Sequence, residues 1–257
     1  MVAKSVSLGH TQVDPECDQR WSLTVKTRSS RAHGRRTLIK LLDAAEAEFA
    51  AHGWHGARMV RVSKRAGTAH GTVYAYFKDK DDLLLALSQD VGAELRSTMA
   101  AMPVLIPGPE GYAQLRDWVA EVCAGFRLHA PVYHALAEAL ADEHDSRAGR
   151  AALRDQRRVL AVFAERIRAI GSTGLDPDMA ALCLYALLEG ANESVHLGEL
   201  LVSADELVDG VTQFIHRSVF GSPPPSQPGR NTKRQLTKRS LAKASIPRAA
   251  VNSARGD

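Results

Sequence analysis

The chain has 257 residues, of which 45% are apolar and 24% are charged, and its formal net charge is +4. These values are ordinary for a globular protein and leave room for one large domain or two small ones. The longest apolar run, residues 179–188, is about half of the ~20 residues that a membrane helix needs, so no span is predicted. Three cysteines without metal-like spacing favour reduced thiols over a disulfide framework.

The distribution of charge is more informative than its sum. Residues 31–80 hold ten Lys/Arg and four Asp/Glu, whereas residues 81–220 hold eleven Lys/Arg and twenty-one Asp/Glu. A basic block followed by an acidic body is typical of a polyanion-binding head on a body that does not bind polyanions. The N-terminus lacks the apolar stretch of a secretory signal, so a cytoplasmic location is expected.

The first elements are short helices. Residues 1–30 show no sustained hydrophobic period and are predicted to be a disordered extension. A first helix begins near Arg35 and ends at His52-Gly53, since apolar residues recur at steps of three and four, namely Leu38, Leu41, Leu42, Ala45 and Phe49. A second short helix ends at Gly67, and a third is predicted from His70 to Phe77.

The rest of the chain continues the helical pattern. Asp79 is a suitable N-cap for a fourth, connecting helix from residue 80 to about 102. Further helical periods follow the Pro107-Gly108-Pro109 break and continue to residue 220, with no strand-like alternation. We therefore predict an all-α protein of about nine helices, with a head at residues 31–80, a body at 81–220 and a disordered basic tail at 221–257.

Two short helices joined by a glycine-containing turn indicate a helix-turn-helix, whose second helix enters the DNA major groove. Gly67 is predicted to adopt the left-handed conformation that reverses the chain, and Gly71 would allow close approach to DNA. Side chains at the leading end of the third helix are predicted to face bases: Thr68, Ala69, His70 and Thr72. Phosphate contacts are assigned to Arg36, Arg58, Tyr74, Tyr76 and Lys80. A purely structural helix pair and a solvated surface His70 are the alternatives.

At this point the stretch "GWHGARMVRVSKRAGTAHGTVYAYFKDKDDLL" resembles the N-terminal domain of TetR-family transcriptional regulators. The resemblance covers about residues 35–90 and rests on the spacing of Phe49, Gly53, Val62, Ala66, Gly67, Gly71, Tyr74, Phe77, Lys80 and Leu83. The family usually has threonine or serine as the cap of the second helix, and Ala57 and Arg58 stand there in this chain. Thr68-Ala69 and Tyr76 also depart from the commoner residues.

The body offers a candidate ligand cavity and a candidate interface. Aromatic and polar residues that could line a cavity are Trp118, Phe126, Tyr133, Phe163, Tyr185, Glu189 and Asn192, with ordinary core or surface as the alternative. The last two helices are apolar over a wide arc, which fits either an interface or a core. The resemblance implies a four-helix dimer interface, here with Leu184, Leu188, Leu207, Val211, Phe214 and Ile215.

These patterns together predict a homodimeric regulator, a repressor that leaves a palindromic DNA operator when a small-molecule effector binds the body. No cofactor, metal site or catalytic constellation is predicted. A ligand-independent DNA-binding activator or architectural protein is one alternative, and a helical enzyme is another.

Overall fold

A computed structural model describes residues 21–28, 32–141, 146–171, 176–196, 198 and 201–220. These parts contain no strand, which confirms the all-α prediction, and they form ten helices rather than about nine. The helices are α1 Ser22–Arg28, α2 Ala32–Gly56, α3 Met59–Arg65, α4 His70–Tyr76, α5 Lys80–Ala100, α6 Pro109–Leu128, α7 Ala130–Ala141, α8 Arg147–Ile170, α9 Pro177–His196 and α10 Ala204–Phe220. No helix in these ranges is long and apolar enough to cross a membrane.

Two hydrophobic cores meet along α5. The first joins α2, α3, α4, the N-terminal half of α5 and α7, with buried residues such as Leu41, Phe77, Leu83 and Val132. The second joins the C-terminal end of α5 to α6, α8, α9 and α10. The N-terminal head and the body are therefore packed together through α5 and α7, and the predicted boundary at residue 80 falls at the start of the shared helix.

Helix α1 corrects the prediction of disorder over residues 1–30. Trp21 is fully buried, and its Nε1 donates a hydrogen bond of 2.7 Å to Asp43 Oδ1. The carboxylate of Asp90 accepts from the backbone N–H groups of Leu23 and Thr24 at 2.8 and 3.1 Å. The cap of α1 is thus supplied by a residue far along the chain, which no local pattern reveals. Residues 1–20 and the predicted tail lie outside the described ranges.

The last turn of α2 is interrupted at Gly53, the position at which the sequence predicts that the helix ends. Gly53 has φ 61° and ψ −174°, so the helix is interrupted before Trp54. The carboxylate of Glu138, from α7, lies against Gly53 and accepts the Trp54 N–H at 2.8 Å. A side chain at position 53 would collide with this carboxylate. The head is therefore attached to α7 at this turn.

Candidate nucleic-acid interface

The turn between α3 and α4 closes by backbone hydrogen bonds. Gly67 has φ 65°, which confirms the predicted left-handed residue. The Gly67 N–H donates to the Lys64 carbonyl at 3.2 Å and the Thr68 N–H donates to the Ser63 carbonyl at 3.0 Å. This pair of bonds is the Schellman arrangement, which ends a helix and turns the chain sharply. Helices α3 and α4 therefore form the predicted helix-turn-helix geometry.

Helix α4 is anchored on one side and exposed on the other. Val73, and Phe77 just after the helix, are fully buried in the first core. His70, Gly71 and Tyr74 are exposed, with the two aromatic rings 5.2 Å apart in an edge-on contact. Of the other residues predicted to face bases, Ala69 is exposed, whereas Thr68 and Thr72 are half-buried. The exposed face has the size and polarity to enter a DNA groove.

A groove of about 490 Å³ separates α4 from the start of α3. Its lining brings together Arg58, His70, Tyr74 and Lys80 from the predicted DNA-binding set. It also includes Lys78, an exposed cation that is absent from the predicted DNA-binding set. The "KDK" run was the available signal, since Lys78 lies two residues before Lys80. Cations around such a groove suit contacts to phosphate oxygens.

Two residues that are predicted to contact phosphate, Lys80 and Arg58, also form hydrogen bonds with backbone carbonyls of the protein itself. Lys80 Nζ donates to the Trp54 carbonyl at 2.7 Å and lies 4.2 Å from the centre of the Trp54 ring. Arg58 is exposed, and its Nη1 donates to the carbonyls of His55 and Ala57. Each of these cations carries further donors that can face the groove.

Tyr76 and Arg36 lie outside this groove. The Tyr76 hydroxyl donates to the Gly34 carbonyl at 3.4 Å, and its half-buried ring packs against the first core. Arg36 is exposed on the first turns of α2. The structure thus gives Tyr76 a packing role between α2 and α4, and leaves the Arg36 guanidinium accessible.

Glu48 organises the cationic side of α3. This fully buried carboxylate of α2 accepts the Arg58 N–H at 3.2 Å and the Arg61 Nε–H at 2.5 Å. It thereby satisfies the backbone N–H of the N-cap residue, whose own side chain makes no capping bond to α3. The sequence did not predict this role, because a glutamate within an amphipathic helix normally faces solvent.

Two ion-pair groups fix the start of α5. Arg28 of α1 pairs with Asp82 at 2.7 Å and also donates to the Tyr76 carbonyl at 2.7 Å, at the end of α4. At the other group, Arg147 of α8 binds Asp79 and Asp81 at 2.7 and 2.9 Å. Asp79 is also the N-cap of α5, as predicted, and accepts the Asp82 N–H.

These contacts lower the pKa values of the carboxyl groups of Asp81 and Asp82. Burial alone would raise the pKa of Asp81, but hydrogen bonds from Ser146, Ala148 and Arg147 outweigh it and lower that pKa. The pKa of Asp82 is likewise lowered, because hydrogen bonds from Arg28 and from the Lys78 N–H outweigh the desolvation. Both groups are therefore ionised near neutral pH, and both remain able to bind their arginine partners.

The body contains two adjoining cavities that share Tyr133 and Glu189. One of about 190 Å³ lies among α5, α7, α8 and α9, and the predicted residues Tyr133, Tyr185 and Glu189 line it. The second, of about 90 Å³, shares Tyr133 and Glu189 and adds Phe126 and Asn192. Trp118 and Phe163 line neither, since their rings pack together 5.9 Å apart in the second core.

The predicted interface residues fall into two groups. Leu188, Leu207, Val211 and Ile215 are buried in the chain's own second core, so they offer no surface to another subunit. Leu184 is half-buried and Phe214 is exposed, and both line an apolar cavity of about 190 Å³ together with Met102 and Leu105. The described parts of the chain hold no group of three His, Cys, Asp or Glu side chains suited to a metal ion.

Comparisons with known proteins agree with this geometry. Residues 41–87 match the family model "Bacterial regulatory proteins, tetR family". The chain is 38% identical over 56 residues to the "Fatty acid metabolism regulator protein" of Bacillus subtilis, a match that covers 22% of this chain and 29% of that protein. The chain spans less than half the length of the first curated relatives it matches, 29% and 44%.

Solved structures resemble a larger part of the chain. A putative TetR-family regulator from Mesorhizobium loti superposes with a TM-score of 0.58, at 22% identity, over 73% of this chain and 97% of that one. The regulator FadR from Bacillus subtilis, in complex with stearoyl-CoA, gives 0.52 at 18% identity, over 72% and 99%. These likenesses concern the fold of head and body together. The head thus matches the tetR family model over residues 41–87, and head and body together share the fold of these solved structures.

Proposed function

We propose that the protein is a homodimeric transcriptional regulator of the cytoplasm that represses genes by binding a palindromic DNA operator. The observation that carries this proposal is the exposed face of α4, where His70, Gly71 and Tyr74 project beside the groove that holds Lys78. Buried Val73 and Phe77 hold that face rigidly on the first core. A rigid helix beside a groove lined by cations suits reading of the major groove.

We further propose that a small molecule in the body releases the DNA. The 190 Å³ cavity is bounded by Ser88, Val91 and Leu95 of α5, and the same helix is paired at its start with Arg28 and Arg147. A ligand that moves α5 would therefore change the orientation of α4. Such a ligand weakens DNA binding only if it prefers the moved form. The FadR structure with stearoyl-CoA supports a regulatory ligand for a protein of this fold.

Dimerisation is proposed through the outer faces of α9 and α10. Met179, Leu182 and Phe214 are large apolar residues with 57%, 47% and 56% of their surface exposed. An apolar surface of this kind favours association with a second copy. The interface would then use Leu184 and Phe214 of the predicted set and leave the four buried residues in the core.

The alternatives differ in measurable ways. A ligand-independent activator or an architectural protein would keep its DNA affinity across a panel of small molecules. An architectural protein would also bind DNA without sequence preference. A helical enzyme would show turnover, whereas the relatives that this chain matches carry the names of regulators.

The direct test is selection of bound duplexes from a random DNA library, followed by the stoichiometry of the complex. We expect enrichment of a palindrome with half-sites about one helical turn, ~34 Å, apart, bound by two subunits. A protein with His70→Ala should select a different or less defined sequence. If the folded protein enriches no sequence, the proposed function is wrong.

A further inference from the structure

The two adjoining cavities share Glu189 of α9, and the smaller one is also lined by Asn192 and by the rings of His134 and His196. Glu189 lines both cavities and accepts a hydrogen bond of 3.3 Å from the Tyr185 hydroxyl. Within the described part of the chain, no Lys, Arg or His side chain forms an ion pair with it. Burial raises the pKa of Glu189, the hydrogen bond from Tyr185 lowers it by less, and the negative charge of Glu193 raises it further.

Asn192 supplies a second acceptor less than one turn further along α9. Its side chain is buried, and Nδ2 donates to the Leu188 carbonyl at 2.7 Å, which fixes the orientation of the amide. Oδ1 is left buried with no hydrogen-bond partner. An unsatisfied buried acceptor costs free energy unless a ligand or water donates to it.

Aromatic rings complete the surroundings. The Phe126 ring is 5.3 Å from that of Tyr133 and 6.2 Å from that of Tyr185. Aromatic faces attract cations, whereas they repel anions. Asp155, on the opposite wall, is paired with Arg96 and adds no net charge, while the exposed Glu193 adds a negative charge near Glu189.

We infer that these cavities bind a small organic cation that carries N–H donors, such as a protonated amine or a guanidinium, with Glu189 pairing the charge and Asn192 Oδ1 accepting a hydrogen bond. This inference rests on the proposed function and specifies its effector class. The N–H donors matter, because a quaternary ammonium ion could pair with Glu189 but could not donate to Asn192. The cavity volumes restrict the cation to a small molecule.

The position of the site also connects it to α5. Val91, Gly92 and Leu95 of that helix line the larger cavity opposite Tyr185. A cation held by Glu189 would place its apolar part against these residues. Occupation of the site would therefore act on the helix that carries the DNA-reading head.

The test uses calorimetric titration of the full-length protein with four probes of equal chain length: hexylammonium, hexyltrimethylammonium, 1-hexanol and hexanesulfonate. We expect hexylammonium to bind one site per subunit, about tenfold or more tighter than each of the others, since a desolvated carboxylate favours a paired donor. Glu189→Gln keeps the shape and removes the charge, and should cost hexylammonium about tenfold or more in affinity. Glu165→Gln, the same change at an exposed position of α8, should leave the affinity unchanged.

Specific outcomes overturn the inference. The inference is wrong if the wild-type protein does not bind hexylammonium. It is also wrong if hexanol or hexanesulfonate binds as tightly as hexylammonium or more tightly. Unchanged affinity in folded Glu189→Gln, or equal binding of hexyltrimethylammonium, contradicts the roles of Glu189 and of the N–H donors. Selection of a palindrome by the same protein is measured separately, so these failures would leave the proposed DNA binding intact.

Discussion

His129 joins the head to the body through two carboxylates. It is buried at the junction of α6 and α7, with Nδ1 3.5 Å from Glu46 of α2 and Nε2 3.1 Å from Glu94 of α5. Burial by itself lowers the pKa of His129, but the hydrogen bonds and charges of Glu46 and Glu94 outweigh it, so the pKa is raised. The protonated ring therefore stabilises the contact between α2 and the body.

This contact predicts a pH-dependent stability. A raised pKa means that His129 contributes its full stabilisation below about pH 6.5, the ordinary value of the unfolded chain, and loses it as pH rises through the folded pKa. Urea unfolding from pH 6 to 9 should show a free-energy difference between wild type and His129→Gln that shrinks at high pH. A difference that is constant over this range would show that the charge has no role.

Arg28 connects α1 with both α4 and α5. Besides its bonds to Asp82 and the Tyr76 carbonyl, its guanidinium lies 4.9 Å from the centre of the Phe77 ring. Residues 76 to 82 include the end of the reading helix and the start of the connecting helix. Helix α1 therefore acts as a clamp on the orientation of α4.

Substitution of Arg28 should increase the mobility of the end of α4 and the start of α5. We expect Arg28→Ala to lower the free energy of unfolding by about 1–3 kcal/mol, as for hydrogen bonds to charged groups. Hydrogen exchange of residues 76–82 should become faster, and affinity for the selected duplex should fall. Lys26→Ala, at an exposed position of the same helix, is the control. Equal exchange rates in the two variants would argue against the clamp.

Helices α5 and α8 approach closely at Gly92. A Cβ atom there would collide with the carboxylate of Asp155, which is held by Arg96 one turn further along α5. A side chain at position 92 would therefore force the Asp155 carboxylate to shift and would disturb its pair with Arg96. This contact lies on the wall of the larger cavity, where a ligand would act.

Gly92→Ala should consequently displace the Asp155 carboxylate and weaken the contact between α5 and α8. We expect a loss of about 1–3 kcal/mol in unfolding free energy, typical of overpacking, together with altered affinity for the selected duplex. Gly125→Ala is a matched change inside α6, where a Cβ meets no atom within 4 Å, and should instead stabilise by about 0.5–1 kcal/mol. Two variants that shift the denaturation midpoint in the same direction would contradict this account of the α5–α8 contact.

The elements that the sequence predicts well are those determined by nearby residues. The hydrophobic period of α2, the turn at Gly67 and the cap at Asp79 each depend on a few neighbouring positions, and the structure confirms all three. Helix α1 was missed because Asp43 and Asp90, which hold it, lie far away in sequence. Its seven residues alone are too few to form a stable helix.

The candidate site shows the same division. His70 and Tyr74 could be assigned to DNA contacts from their positions in the predicted third helix, and both are exposed, whereas Glu48 could not be recognised as the acceptor of the Arg58 N–H without the packing of α2. The wide apolar arcs of α9 and α10 did not distinguish core from interface. Burial of Leu188 and Val211 and exposure of Phe214 become visible only when the helices are packed.

Packed helices connect the exposed face of α4 with the cavities of the body. Helix α5 belongs to both cores, and α7 reaches the head through Glu138 and lines the larger cavity through Tyr133. Coupling between two such sites commonly amounts to about 1–3 kcal/mol, and it is reciprocal. DNA should therefore weaken the binding of an effector by the same factor as the effector weakens the binding of DNA.

The most direct test of DNA reading by α4 is an anisotropy titration of the selected duplex and a scrambled duplex over a range of salt concentrations. Lys78→Ala should weaken binding to both duplexes equally and reduce the salt slope by about one unit, since it removes a phosphate contact. His70→Ala should reduce the preference for the selected duplex with little change of the slope. Unchanged affinity, preference and slope in both variants, as folded dimers, would contradict the account.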